Sequence, residues 1–407
     1  MLRQDNMKIL TTGTSPFYLT RNSKIHDTII RNISSLIDNI ELSSIFLNHD
    51  TEYFSQEMIQ DKYEGVDCTF YSVGLSGEAL VTNMFDITEK ESPDVILSIG
   101  GFSDLEHIRA IKRIIPDSFK WIVILTSNIG YNLSSFTDTL QESDHVICLT
   151  EQSKNSLESL DIDCSLIKYG MCESYLSSCE PVQKNTFCPV FMINDKNVQQ
   201  SNMALVLDSF IKMKDRNFKI LLHTNYYESG EYDLDCLISQ LDIEKVELPN
   251  SFVGIRDGVS DVDMRMSYSR AHFIVDLSIK PITSLCALEG MSQGCVPIIN
   301  KAGALFESVC GNDRYSSFCD LAVENNLFFS DHLEPFYMAS QDSFINKIDS
   351  AISMVEDSFS IYENLSNLAK VMSCGFSNKG FCKKVGNLIV NGNFNKKKDL
   401  KLKLENI

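Results

Sequence analysis

The stretch DLSIKPITSLCALEGMSQGCVPIIN, residues 276–300, decides the fold. An apolar run ends at Asp276, a helix opens near Thr283 or Ser284, and Gly294-Cys295-Val296-Pro297 turns the chain into the next apolar run. Strand, helix and strand in that order form the crossover unit of a parallel sheet, because parallel neighbours cannot be joined by a short hairpin. Gly294 and Pro297 read as turn-forming residues with no chemistry of their own.

The same alternation extends in both directions. Upstream, apolar runs rich in β-branched residues predict strands at 8–12, 44–48, 66–73, 94–99, 120–126 and 145–149, with the clearest amphipathic helices at 25–38, 104–114 and 151–160. A polar break at 177–187, SSCEPVQKNTF, interrupts the pattern, which restarts with strands at 190–193, 219–223, 272–276 and 296–299. Helices are predicted at 202–213, 234–241 and 283–293, and the chain reads as helical from 340 to about 390. The expected organisation is α/β: one doubly wound, Rossmann-like domain over 1–176, a second over 177–375, and a terminal helix with a basic tail over 376–407. Two such domains bind ligands where the carboxyl ends of their strands face a shared cleft. That layout serves transferases, binding proteins and epimerases alike.

Composition narrows the classes. The chain has 407 residues, 43% hydrophobic and 22% charged, with 19 glycines and 9 prolines, which excludes disordered, collagenous and low-complexity chains. With 36 basic and 55 acidic residues the net charge is −19, so the average surface repels phosphate backbones and anionic membranes. The longest wholly apolar runs, such as 121–125, fall far short of the roughly 20 residues of a membrane-spanning helix, and no apolar leader precedes the first strand. A cytoplasmic protein is expected. Thirteen cysteines without a C-x-x-C pair read as reduced, mostly buried thiols, and the seven histidines show no zinc-ligand spacing, so no metal is expected. The tail 393–407 holds five lysines against two acids and reads as a solvated end.

Residues 287–298, ALEGMSQGCVPI, resemble the LEAMACGTPVI signature of GT-B glycosyltransferases, in particular the family 4 retaining enzymes. Other segments agree in order: LIKYGM at 166–171 is similar to the IPNGVD that closes their first domain, the helix at 204–210 to LLEAF, and 263–278 to DLxxLYxxADVFVLPS. The resemblance spans the chain from Met7 to about Val390. It implies a GT-B fold with the nucleotide sugar on the second domain, the acceptor on the first, and a C-terminal helix crossing back. Elementary physics agrees, since a helix starting at a strand's carboxyl end offers free N–H groups and a positive dipole end to a diphosphate. Ile282, Thr283, Ser284 and Leu285 are the expected donors, and the resemblance implies that Glu289 accepts the ribose hydroxyls. The small-residue turn after the first strand places Gly13 and Thr14 beside the donor. A second turn, Gly100-Gly101-Phe102, is read as an acceptor-side wall leading into a helix capped by Ser103 or Asp104.

Three positions depart from the family pattern. The first glutamate, eight residues before Glu289, falls at Pro281. The cations after the first strand of the second domain align poorly, leaving Lys196, with Arg256 and Lys280, to balance the charge that grows on the leaving diphosphate. The histidine of relatives is matched by Asn128, which can hydrogen-bond a sugar but takes no proton. The expected catalytic set is thus Asn128, Lys196 and Lys280. The leading expectation is metal-independent transfer, with retention, from a nucleotide-diphosphate sugar, UDP-linked above others, to an acceptor hydroxyl of a carbohydrate or lipid-linked glycan. Two alternatives stay open: a virus-type transferase acting on hydroxymethylated bases in DNA through the lysine-rich end, and a non-catalytic GT-B paralogue serving as a partner subunit. An epimerase is a further use of the fold, and a homodimer is compatible with the sequence.

Overall fold

The structure is a computed structural model that describes residues 6–16, 21–48, 56–74, 78–126, 134–177, 182, 184–195, 197–224, 231–248, 259–279, 284–309, 320–329 and 335–391. The first sheet holds β1 (Met7–Thr14), β2 (Ile40–Asn48), β3 (Thr69–Gly74), β4 (Val95–Gly100), β5 (Lys120–Leu125), β6 (His145–Cys148) and β7 (Cys164–Leu166). Between them run α1 (Arg21–Leu36), α2 (Gln56–Lys62), α3 (Glu78–Glu91), α4 (Phe102–Ile114), α5 (Ser134–Gln141) and α6 (Glu151–Glu158). The strand order is β3-β2-β1-β4-β5-β6-β7, every pair parallel. Every residue of β4 and β6 is buried, as expected for strands covered on both faces, and this explains why they read as largely apolar runs, interrupted at Ser98 and opened by His145.

The second sheet contains β8 (Val190–Asn194), β9 (Lys219–His223), β10 (Val246–Glu247), β11 (Phe273–Asp276) and β12 (Val296–Ile299), in the order β10-β9-β8-β11-β12, again all parallel. Its helices are α7 (Met203–Lys212), α8 (Leu234–Ile238), α9 (Asp261–Arg270), α10 (Leu285–Ser292) and α11 (Gly303–Val309). An antiparallel hairpin, β13 (Asn325–Phe329) with β14 (Pro335–Ala339), precedes three helices, α12 (Gln341–Asp357), α13 (Phe359–Ser373) and α14 (Asn378–Asn391). Both parallel sheets are doubly wound.

The last helix does not stay with the second sheet. After α13 the chain crosses to the first: Met171 donates its N–H to Phe376 O at 3.2 Å, and Asn378 donates to Met171 O at 2.9 Å. The two backbones touch at Gly170, where a Cβ would lie 2.5 Å from Phe376 C and Ser377 N, so only glycine fits. α14 then packs on α1, burying Phe381, Cys382, Val385 and Ile389 with Ile25, Ile29, Ile33 and Ile37 in one core with the first sheet.

Two local expectations are corrected. β1 continues through Gly13 and Thr14, which pair with Phe46 and Leu47 of β2 and are strand residues rather than a turn. α4 begins at Phe102 with Gly101 as its N-cap, ahead of Ser103 and Asp104, because Asp104 in the first turn reaches back and accepts the Gly101 N–H at 2.9 Å.

Candidate functional site

In each sheet the strand order reverses direction once, between β1 and β4 in the first and between β8 and β11 in the second, and the crevice for a ligand opens at the carboxyl ends of those strands. In the second sheet these ends are Asn194 and Asp276, and α10 follows β11.

Asp276 organises the connection into α10. Its carboxylate accepts the Ser278 N–H at 3.1 Å, the Ser278 hydroxyl at 2.6 Å and the Ser284 hydroxyl. Asp195 lies 3.1 Å from the same Ser278 hydroxyl. Ser284 is the N-cap of α10, but its side chain is committed to Asp276 and makes no capping bond to the helix. The first N–H groups of α10 are therefore left by their own N-cap for another acceptor.

One turn into α10 stands Glu289, only 5% exposed. The Tyr268 hydroxyl donates to Oε2 at 3.1 Å and in turn accepts from Asn194 Nδ2. Lys24, from α1 of the first sheet, brings its ammonium to 3.6 Å from Oε1. The Glu289 charge holds the Lys24 ammonium above its ordinary pKa. Burial raises the Tyr268 and Tyr175 phenols and the Cys286 thiol well above their usual range, and the same carboxylate adds to each shift. These groups stay protonated, so Tyr268 remains a donor. A carboxylate has about four acceptor sites, and Glu289 keeps capacity for hydroxyls of a ligand.

Lys24 is held in place from below. His26, two residues on, is fully buried and donates its Nδ1–H to Thr14 O at 3.2 Å. Its Nε2 accepts from the Ser44 hydroxyl at 3.0 Å, and Ser44 accepts from Thr11 at 2.9 Å. Burial lowers the imidazole to about 4, so it is neutral and its tautomer is fixed by these bonds. The end of β1 and the start of α1 thus form one hydrogen-bonded unit.

Of the residues singled out in the sequence, Ser284, Leu285 and Glu289 come together on α10, with Leu285 buried in the core it shares with the first sheet. Gly13 and Thr14 end β1, Gly100 ends β4, and Gly101 and Phe102 open α4, so these five occupy the first sheet's switch point. The Gly101 N–H is taken by Asp104. Asn128, Lys196, Arg256, Lys280, Ile282 and Thr283 lie outside the described residues. Lys24, Asn194, Asp195 and Asp276 join the site without a sequence pattern that marks their role. Tyr268 falls on the tyrosine of the DLxxLYxxAD pattern, which pointed to it without giving its partner. Among the described residues, no group of three or more His, Cys, Asp or Glu side chains is placed to hold a metal ion.

No protein-family model and no curated protein matches the sequence. Solved structures do match the fold. A glycosyltransferase from Rickettsia africae ESF-5 superposes with a TM-score of 0.68 at 14% identity, over 95% of this chain and 100% of its own. The lipopolysaccharide outer core galactosyltransferase WaaB, in its apo form, gives 0.61 at 12% identity over 95% and 99%. UDP-GlcNAc 2-epimerase from Neisseria meningitidis gives 0.52 at 13% identity over 95% and 99%. The fold is GT-B, two doubly wound Rossmann-like halves facing a cleft.

Proposed function

We propose that this chain is a glycosyltransferase that moves a sugar from a nucleotide-diphosphate sugar, a UDP-sugar foremost, to an acceptor hydroxyl, with retention and without a metal ion. The observation that carries the reading is Glu289: a buried carboxylate with spare acceptor capacity, one turn beyond a helix N-terminus whose own cap is turned away. A nucleoside diphosphate matches that pair of features, its ribose hydroxyls donating to Glu289 and its phosphates accepting from Ser284, Leu285 and their neighbours Ile282 and Thr283. In this reading the second half holds the donor and the first the acceptor, a carbohydrate or lipid-linked glycan, against Gly100, Gly101 and Phe102. Gly13 and Thr14 approach the donor from the first half.

In the transfer, the bond from the anomeric carbon to the leaving phosphate oxygen breaks and the acceptor oxygen bonds to the same carbon. The acceptor's proton passes to the departing phosphate, which fits a chain carrying Asn128 where relatives carry a histidine. Lys196, Arg256 and Lys280 are assigned to the negative charge that grows on the diphosphate.

A thermal-shift screen against UDP, GDP, ADP and their common sugars tests the reading. A ligand at 100 times its dissociation constant stabilises by about 2.7 kcal/mol, and one nucleotide series is expected to do so. Glu289→Ala should abolish the shift. If no nucleotide moves the transition, the donor reading falls and the chain is a non-catalytic GT-B subunit.

A further inference from the structure

We infer that Lys24 is a donor-binding residue: it carries positive charge from the first half across the cleft to the phosphate nearest the ribose. The inference rests on the donor reading of Glu289. Its basis is the placement of charge around α10. The strand ends of the second sheet bring Asp195 and Asp276 to the connection that leads into this helix, both within hydrogen-bond distance of the Ser278 hydroxyl. Two carboxylates beside the phosphate position oppose a dianion, so the helix terminus alone is a poor anchor there. The described cation that reaches Glu289 comes from the opposite half, as Lys24 of α1 at 3.6 Å.

Distance along the helix places the ammonium suitably. Leu285 and Glu289 are four residues apart, a rise of about 6 Å, comparable to the span from ribose hydroxyls to the first phosphate. An ammonium against Glu289 therefore lies within reach of that phosphate. The ammonium is accessible for both contacts: Glu289 is buried, whereas the Lys24 side chain is 48% exposed. An ammonium has three donors, and the pair with Glu289 occupies one side of it. The backbone that carries Lys24 is fixed, since its carbonyl accepts the Tyr169 hydroxyl at 3.1 Å and His26 anchors the same turn to β1. Bringing the two halves together then completes the donor site, because charge needed by the ligand is supplied from the half that holds the acceptor.

The test compares nucleosides with their diphosphates, uridine and UDP, guanosine and GDP, adenosine and ADP, by calorimetry on the full chain and on Lys24→Met and Lys24→Arg. For the series that binds, Lys24→Met is expected to weaken the diphosphate about tenfold while leaving the nucleoside within twofold, and Lys24→Arg to restore most of the loss. A matching thermal transition for the arginine variant shows that the fold is kept. Equal weakening of nucleoside and diphosphate overturns the inference and makes Lys24 only a support for Glu289. Tighter binding of both by Lys24→Met also overturns it, because Lys24 would then be a plug that the ribose displaces. Failure of the unaltered chain to bind any of the six compounds overturns the donor reading itself, an outcome distinct from the other two.

Discussion

His26 and His272 are imidazoles that the fold keeps neutral. His272 accepts the Val190 N–H on Nδ1 at 3.1 Å and donates from Nε2 to Asn185 O at 2.8 Å, so a second proton has no acceptor in that geometry. Burial lowers both residues from 6.5 to about 4, and the nearby Lys184 ammonium adds to the shift of His272. A histidine with a depressed native pKa lets the unfolded chain bind the proton first, so stability rises with pH between the two values. The contribution is complete above pH 6.5, falls as pH drops towards 4, and amounts to about 3 kcal/mol per histidine over that window. Urea midpoints should accordingly fall from pH 7 to pH 5, and His26→Gln should flatten the slope; an unchanged slope in that variant would contradict the buried neutral assignment. Tyr268 acts differently, as the donor that orients Glu289. Tyr268→Phe keeps the ring and removes the hydroxyl, leaving Asn194 and Glu289 each short of a partner, at an expected cost of about 1–3 kcal/mol in chemical unfolding together with a several-fold weaker nucleotide affinity.

At the scale of elements, the connection from α10 into β12 shows why the 276–300 stretch was decisive. Gly294 has φ +85° and its carbonyl accepts from Lys184 Nζ at 3.0 Å, Tyr362 OH at 3.2 Å and Ser366 Oγ at 2.7 Å. A left-handed residue that exposes its carbonyl to three donors, with Ser366 Oγ 2.7 Å from where a Cβ would sit, admits only glycine. Gly170→Ala makes a sharper test, since its Cβ would collide with backbone rather than with a side-chain tip. It should cost about 1–3 kcal/mol and raise amide exchange along α14 before other elements, which mass spectrometry of deuterated peptides would detect. Most of the strands that were legible are buried along their length; β3, read at 66–73, is the exception, with Val73 its one buried residue. β7 and β10, with three and two residues, are too short to form an apolar run, and the β13–β14 hairpin interrupts a region with no clear period. Within the site, Glu289 was legible because it falls in the 287–298 run that resembles the GT-B signature, whereas Lys24 shows no sequence signal: it is a lysine at the edge of an amphipathic helix, and its meaning arises from a partner 265 residues away in the chain. Asp276 likewise ends an apolar strand, where its bonds to Ser278 and Ser284 depend on a loop geometry that no periodicity encodes.

For the whole molecule, the two halves are joined by contacts of different kinds. The Gly170 crossing is closely packed and α14 shares one buried core with α1 and the first sheet, so the C-terminal helix is built into the first half. The Lys24–Glu289 pair is a single ion pair between a half-exposed ammonium and a buried carboxylate. A third tie is Glu307 of α11, whose carboxylate accepts the N–H groups of Glu151 and Gln152 at 3.0 and 3.3 Å, at the start of α6. A negative charge at that end complements the helix dipole and satisfies two donors that the helix itself leaves unbonded. This tie joins the halves on α11 and α6, elements that carry none of the proposed donor groups, so its loss should separate stability from binding. Glu307→Ala is expected to lower stability by about 1 kcal/mol, and Glu307→Gln by less, because an amide oxygen still accepts one N–H without the charge. Urea unfolding would rank the three chains, and calorimetry with the nucleotide that binds should return an affinity within twofold of the unaltered chain for both variants. A tenfold loss of affinity in Glu307→Gln would mean instead that this tie sets the closed geometry of the cleft, and that Lys24 reaches the donor only while α11 is latched to α6.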